Sequence, residues 1–438
     1  AEMNRRAMLV ESPGEYQIVE AWVAGVNRRI EEVTSGAAPM PAAFVELGYE
    51  PEPWTETDAF AVGRLILIGN AEQIQYDTLA TIIRDVLPTL DARLPLLRPI
   101  RDTFVVPPEE RPLARPLVRA PDGIVPLPPF VDRLDRAPPD LGARITRFFD
   151  VLDGAFGERG ASNNWALEGR HTASGRPLIA GDPHQGLDSP SLMWLHHMHS
   201  EESAGALDVV GFSFVGTPAV QLGHNRHLAW TATTTYPDWM DLWEVQWDAA
   251  GGTITLGTET LRVVPRVERI LVMGEAAPRE VVLEDVPGHG VLLPEDFFPI
   301  PLGAPGTRVL FGWSGFRPTH EAQGFFGFDM ATTLDEFDAA ADRNEVGAFN
   351  FVAASATGIT YRSSPLTPVR AEPPGGTRRP WTLLDGDDVG TLWDGTFLRP
   401  GVDLPHSRGG TRGWIVSANN EPLGLMQDGL ADGDPFYF

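Results

Sequence analysis

Along roughly the first third of the chain apolar residues recur at helical intervals; from about residue 160 they fall in short runs broken by Gly, Pro and Asn. Ile18, Trp22, Val26 and Ile30 stand four apart and predict one buried stripe on a helix over 12–35. Ser12-Pro13-Gly14-Glu15 reads as a capping box with proline in the first helical position, and Ser35-Gly36 as the stop. After the Pro-Glu-Pro turn at 51–53, a second helix starts at Thr55 or Thr57 and passes Val62, Leu65 and Ile66 before ending at Gly69-Asn70. Asp140 caps a third, with Leu141, Ile145, Phe148, Phe149 and Leu152 on one face as far as Gly154. Ten prolines between Pro107 and Pro139 leave no room for a helix or central strand, so that stretch reads as a surface segment or linker. Gly157 to Ala161 reads as a flexible polar loop.

Strands are expected at 177–180, 209–215, 227–234 and 241–247, with successive hairpins over 253–295. Thr333-x-x-Glu336 signs one more helix, and a strand pair follows at 349–362. Helices first and a strand-rich body after them make an α+β pattern without an internal repeat.

Composition narrows the chemistry. The 34 basic residues are all arginine, against 60 acidic ones, for a net charge of −26. A chain without lysine has no P-loop lysine, Schiff-base lysine or Ser-x-x-Lys pair. One without cysteine has no disulfide, thiolate zinc site or cysteine nucleophile. The acidic balance, with no segregated basic patch, argues against nucleic acid as a partner. The longest apolar runs fall well short of a membrane span, which argues against a membrane.

Gly211-Phe212-Ser213-Phe214-Val215 ends in valine where a nucleophile elbow needs glycine, so it is not one. His196, His197 and His199 form a cluster in which the last two share a strand face and could ligate one metal; half-exposed strand histidines are the plainer reading. Gly160-Ala161-Ser162-Asn163-Asn164-Trp165 stands where the helical and strand-rich halves meet, and on its own reads as a polar turn.

Four further motifs give that segment a context. They are Leu47 to Trp54 with Ala61-Val62-Gly63-Arg64, Gly175 to His184, Gly223-His224-Asn225 with Leu228-Ala229-Trp230, and Ser417-Ala418-Asn419-Asn420-Glu421-Pro422. In this order and at these separations the chain resembles the penicillin acylase family of N-terminal-nucleophile hydrolases, nearer its cephalosporin and acyl-homoserine-lactone acylase-like members. The resemblance covers nearly the whole chain. It implies a four-layer αββα sandwich, an α-chain segment over 1–161 with a possible spacer from about 107, and a β-chain segment over 162–438. Self-cleavage before Ser162 would give a heterodimer of the two, in the periplasm or secreted. The implied substrate is a small N-acyl compound such as a β-lactam or N-acyl homoserine lactone.

Residue roles follow from the same resemblance. Ser162 is implied as nucleophile with its own α-amine as base, and such an amine has a reference pKa of roughly 7.7–8.0, suited to that task near neutrality. Asn419 and the backbone N–H of Thr234 are implied as oxyanion donors, and His184 as a group beside the nucleophile. Leu65, Ile68, Gly69, Leu222 and Phe349 match acyl-pocket positions. Asp238, the Met240 carbonyl and Asp241, with Asp434 and Gln75, match a structural calcium site; glutamine at 75 replaces a carboxylate. Ala161 replaces the commoner glycine before the serine, and 353–357 replace a stretch where relatives carry an aspartate. Against the family pattern the chain looks truncated at both ends. Two other functions remain open: an incomplete or non-catalytic relative that binds acyl or aromatic ligands, and a histidine-metal hydrolase at 196–199.

Overall fold

The computed structural model describes residues 1–69, 73–87, 105–110, 138–156, 159–186, 189–200, 207–370, 380–420 and 422–423. The proline-rich segment lies mostly outside them.

Helices α1 (Glu2–Glu11), α2 (Pro13–Thr34), α3 (Ala42–Leu47), α4 (Glu56–Gly69), α5 (Gln73–Val86) and α6 (Leu141–Phe156) make up the first part of the chain. On α2 the buried residues are Tyr16, Val19, Val23 and Val33, whereas Ile18 is exposed and Trp22 half-buried. Steps of four advance 400° around a helix, so a strict four-residue row precesses off the core face and alternating steps of three and four stay on it. The capping box expected at Ser12 does not form. Its backbone N–H already donates to Met8 O at the end of α1, so no orphan donor is left there for Glu15. Thr333 does form one with Glu336, opening α8 (Leu334–Ala341) after α7 (Glu321–Met330).

Two antiparallel sheets face each other. The smaller has the order β2-β1-β20, built from β1 (Arg159–Leu167), β2 (Leu178–Gln185) and β20 (Trp414–Ser417). The larger has the order β19-β15-β14-β6-β5-β4-β3. Its strands are β3 (Met193–Ser200), β4 (Leu207–Phe214), β5 (Leu222–His224), β6 (Leu228–Thr234), β14 (Phe349–Ser355), β15 (Gly358–Ser363) and β19 (His406–Ser407). Between the sheets Ala166 and Ile415 meet Val352, Ala354 and Tyr361. Gly181 lets β2 approach β6 closely, because a Cβ there would lie 1.7 Å from Thr231 Oγ1.

Helices α7 and α8 pack on the other face of the larger sheet, where Phe325, Phe328, Phe337, Phe349, Phe351 and Trp230 form the main core. Strand β14 is therefore buried on both faces, which is why its sequence reads as an apolar run interrupted by Asn350. Among the described residues, helices, larger sheet and smaller sheet stack in that order. The smaller sheet turns Leu178 and Val416 outward, both exposed.

A third sheet has the order β10-β11-β12-β13-β7-β8-β9. It contains β7 (Met240–Asp248), β8 (Thr253–Leu256), β9 (Glu259–Arg262), β10 (Val264–Ile270), β11 (Arg279–Val286), β12 (Gly290–Leu292) and β13 (Thr307–Trp313), with β17 (Leu384–Asp385) beside β7. The hairpins expected over 253–295 are these strands. Finally, β16 (Thr367–Arg370) pairs with β18 (Trp393–Leu398).

Candidate active site

Ser162 lies within β1, not in a turn, and the chain runs unbroken through it. Alternation along β1 turns Ser162 and Asn164 toward the larger sheet, and Ser162 is only 6% exposed. Its backbone nitrogen, which here belongs to a peptide and stands in for the amine that cleavage would release, donates to Asn419 Oδ1 at 2.6 Å. Asn419 Nδ2 in turn donates to Thr234 O at 2.8 Å. That amide has a second hydrogen for another acceptor. Asn419 adopts φ 59, a left-handed conformation that asparagine tolerates better than most residues. Its two side-chain bonds offset the strain.

Thr235 N–H donates to Ala348 O, and Thr234 pairs with Phe349 in the same ladder. Antiparallel alternation therefore turns the Thr234 peptide edge away from β14, to the side where its carbonyl meets Asn419. Three residues implied by the resemblance thus converge.

Ser162 opens onto a small cavity of about 20 Å³ lined mainly by apolar side chains. Leu222 and Phe349 line it, joined by Pro183, Met193, Phe214, Phe325 and Phe351. These aromatic residues read in sequence as ordinary core, and nothing in their spacing singles them out. Leu65 is elsewhere: it is 54% exposed on α4, where it faces water, and it lines no cavity described here. Ile68 and Gly69, on the same helix, do not line the Ser162 cavity either. A second cavity, about 70 Å³ and lined mainly by apolar residues, lies against α4 and shares Phe214, Gln221 and Phe325 with the first.

His184 is placed on the opposite face. Ser162 pairs with Pro183, so the next residue of β2 points outward, where His184 Nε2 meets Asp182 Oδ2 at 3.1 Å and Asn163 Nδ2 at 3.5 Å. The histidine cluster also separates. His197 Nε2 bonds Asp208 at 2.8 Å, while His196, on the other face of β3, bonds Ser213 Oγ at 2.5 Å. Among the described residues no three histidine or acidic groups are placed to hold a metal ion, so the histidine-metal reading has no site here.

The implied calcium pair is engaged otherwise. Asp238 and Asp241 are buried, and Arg370, also buried, bridges them: its Nη2 reaches Asp238 Oδ1 at 3.0 Å and its Nε reaches Asp241 Oδ2 at 2.8 Å. Trp393, paired with Arg370 across β16 and β18, also donates to Asp241. The Met240 carbonyl accepts from Gln73 Nε2 at 3.1 Å, and it is Gln73, two residues before Gln75, that reaches Asp238 at 2.7 Å. Asp77 is buried nearby without a hydrogen bond to either oxygen among the described residues, and burial with the repulsion of the two aspartates raises its carboxyl well above the usual range. Asp434 lies outside the described residues. Arg370 takes one oxygen of each carboxylate and leaves Asp238 Oδ2, Asp241 Oδ1 and both oxygens of Asp77 buried without a hydrogen bond among the described residues, so one guanidinium faces three carboxylates. A cationic residue in β16 carries no signal in sequence that it will fold onto β7.

The Ser162 N–H is thus held by the Asn419 side chain between two facing antiparallel sheets. The penicillin amidase family model matches residues 1–435, and the chain belongs to that family. A penicillin acylase 2 proenzyme from Pseudomonas sp. (strain SE83) is 30% identical over 282 residues, 64% of this chain and 33% of its own. The acyl-homoserine lactone acylase QuiP of Pseudomonas aeruginosa is 26% identical over 427 residues, 94% of this chain and 46% of its own. A solved thermostable penicillin G acylase from Alcaligenes faecalis matches at a TM-score of 0.49 and 22% identity, over 59% of this chain and 44% of its own. The chain thus spans a third to about half the length of these curated relatives. No described helix is long and apolar enough to cross a membrane.

Proposed function

We propose that this chain carries the nucleophile of an amidohydrolase that removes an acyl group from a small N-acyl compound: a β-lactam side chain, an N-acyl homoserine lactone or a similar amide. The chain cuts itself between Ala161 and Ser162, and the two fragments stay together as a heterodimer, exported to the periplasm or beyond. The relative called a proenzyme supports processing of this kind. The liberated Ser162 amine takes the proton of its own hydroxyl, and Oγ attacks the amide carbonyl. Asn419 Nδ2 and the Thr234 N–H hold the oxyanion; the protonated amine then gives its proton to the leaving nitrogen. Water attacks the resulting ester and releases the acid. The apolar side chains beside Ser162 receive the acyl group.

One observation carries this reading: the 2.6 Å bond from the Ser162 nitrogen to Asn419, which is itself tied to Thr234. The test is a hydrolysis panel of penicillin G, a cephalosporin side-chain substrate and long-chain lactones, run on wild type and Ser162→Ala. Turnover of at least one amide by wild type alone is expected. Equal turnover by both proteins would end the proposal. Unprocessed protein that binds acyl ligands without turnover would favour a non-catalytic relative.

A further inference from the structure

A single buried amide touches the segments that bear all three parts of the site. Asn350, in β14, has no solvent exposure, and neither have Asn164, Ser417 and Tyr361 around it. Its Nδ2 lies 3.2 Å from Thr233 Oγ1, 3.2 Å from Thr234 O and 3.3 Å from Ser417 Oγ. Its backbone oxygen accepts from Asn164 Nδ2 at 3.1 Å. Thr234 bears the oxyanion N–H; Ser417 stands two residues before Asn419, and Asn164 two residues after Ser162. Asn350 therefore joins β6, β20 and β1 at the points where each delivers its functional group.

An amide can serve in this way only if it does not flip. Tyr361 O–H donates to Asn350 Oδ1 at 2.6 Å, which fixes the oxygen toward Tyr361 and the NH₂ toward β6 and β20, while the backbone oxygen serves β1. Thr233 Oγ1 and Ser417 Oγ, 3.1 Å apart, close the network. The carbonyl of Thr234 accepts from both Asn350 and Asn419, at 3.2 and 2.8 Å, so the two asparagines share one acceptor. A shift of Asn350 would be felt by the peptide that Asn419 leans on.

We propose that Asn350, its orientation locked by Tyr361, is a positioning residue for the oxyanion hole. This rests on the amidohydrolase reading for its kinetic consequence, but its structural consequence is independent. Buried amide networks of this kind lose geometry before they lose the fold when only one bond is removed, so Tyr361→Phe is the mild variant and Asn350→Ala the severe one.

The experiment uses the purified processed protein and a hydrolysed N-acyl substrate. Both variants are expected to lower kcat about 10- to 100-fold while KM changes less than about threefold, the signature of an interaction made only in the transition state. In an Asn419→Ala background the same variants should lower kcat by no more than about twofold further, because the route of their effect is already gone. Losses that multiply in that background, or an unchanged kcat in Asn350→Ala, would overturn the assignment. Backbone hydrogen exchange supplies a readout that needs no turnover. In Tyr361→Phe, exchange at residues 233–235 and 417–419 should quicken at least tenfold while that of β10 and β11 does not. If wild type hydrolyses nothing, the functional reading falls and the exchange result alone decides the positioning role; unchanged exchange would sink it.

Discussion

Asn419 accepts the Ser162 N–H at 2.6 Å across 257 residues of chain. The contact joins the segment just after β20 to the middle of β1, and it forms only because those strands are neighbours, with Asn164 opposite Ser417. Removing the Asn419 side chain by Asn419→Ala should lower kcat by about 10²–10³, or about 2.7–4 kcal/mol of barrier, as for other oxyanion donors. Steady-state kinetics on the processed protein measure this. A fall below threefold would place the oxyanion elsewhere.

The approach of the two sheets depends on Gly181. Gly181→Ala would put a methyl 1.7 Å from Thr231 Oγ1 and 2.4 Å from its Cβ, so β2 must lift from β6. We expect a loss of about 3 kcal/mol, in the range of overpacked cores, with slower cleavage before Ser162 because its strand moves too. Thermal unfolding and time-resolved electrophoresis would show both. Wild-type behaviour in the variant would mean the sheets do not pack as described.

Much of this arrangement is legible in the sequence. The small and polar residues at 160–164 and the Ser417 to Pro422 motif point to two places that meet in space, and the helices at α2, α4 and α6 follow from their periodicity. Other features depend on contacts between distant segments. Gln73 begins a helix that carries no clear stop or start signal, and Arg370 looks like any surface arginine until β16 pairs with β18 beside β7. Outward placement of His184 follows from strand register, and a one-residue change in register would reverse it. The polar turn read at 160–165 is a strand because β2 and β20 pair with it on both sides.

Arg370 bridges Asp238 and Asp241. Arg370→Ala should destabilise by about 3–5 kcal/mol, because it removes the one guanidinium that pairs with both buried carboxylates. Thermal unfolding measures this, and an unchanged unfolding temperature would contradict it.

His320 ties two distant parts of the helical layer together. Its Nδ1 donates to Glu345 at 2.7 Å and its Nε2 to Glu11 at 2.9 Å, and these carboxylates push its pKa up to about 9. An unfolded histidine titrates near 6.5, so the stabilisation is full below about pH 6.5 and fades as pH rises toward about 9. The stability difference between wild type and His320→Asn should follow that course in urea melts at several pH values. A difference that grows with pH would have the wrong sign.

The proposed mechanism needs residue 162 to become a chain terminus. Intact mass and N-terminal sequencing of the purified protein should show two fragments, one of which begins Ser162-Asn163-Asn164-Trp165, and a single uncut chain from Ser162→Ala. A wild-type preparation that hydrolyses N-acyl substrates while its chain remains whole through Ala161 and Ser162 would contradict it.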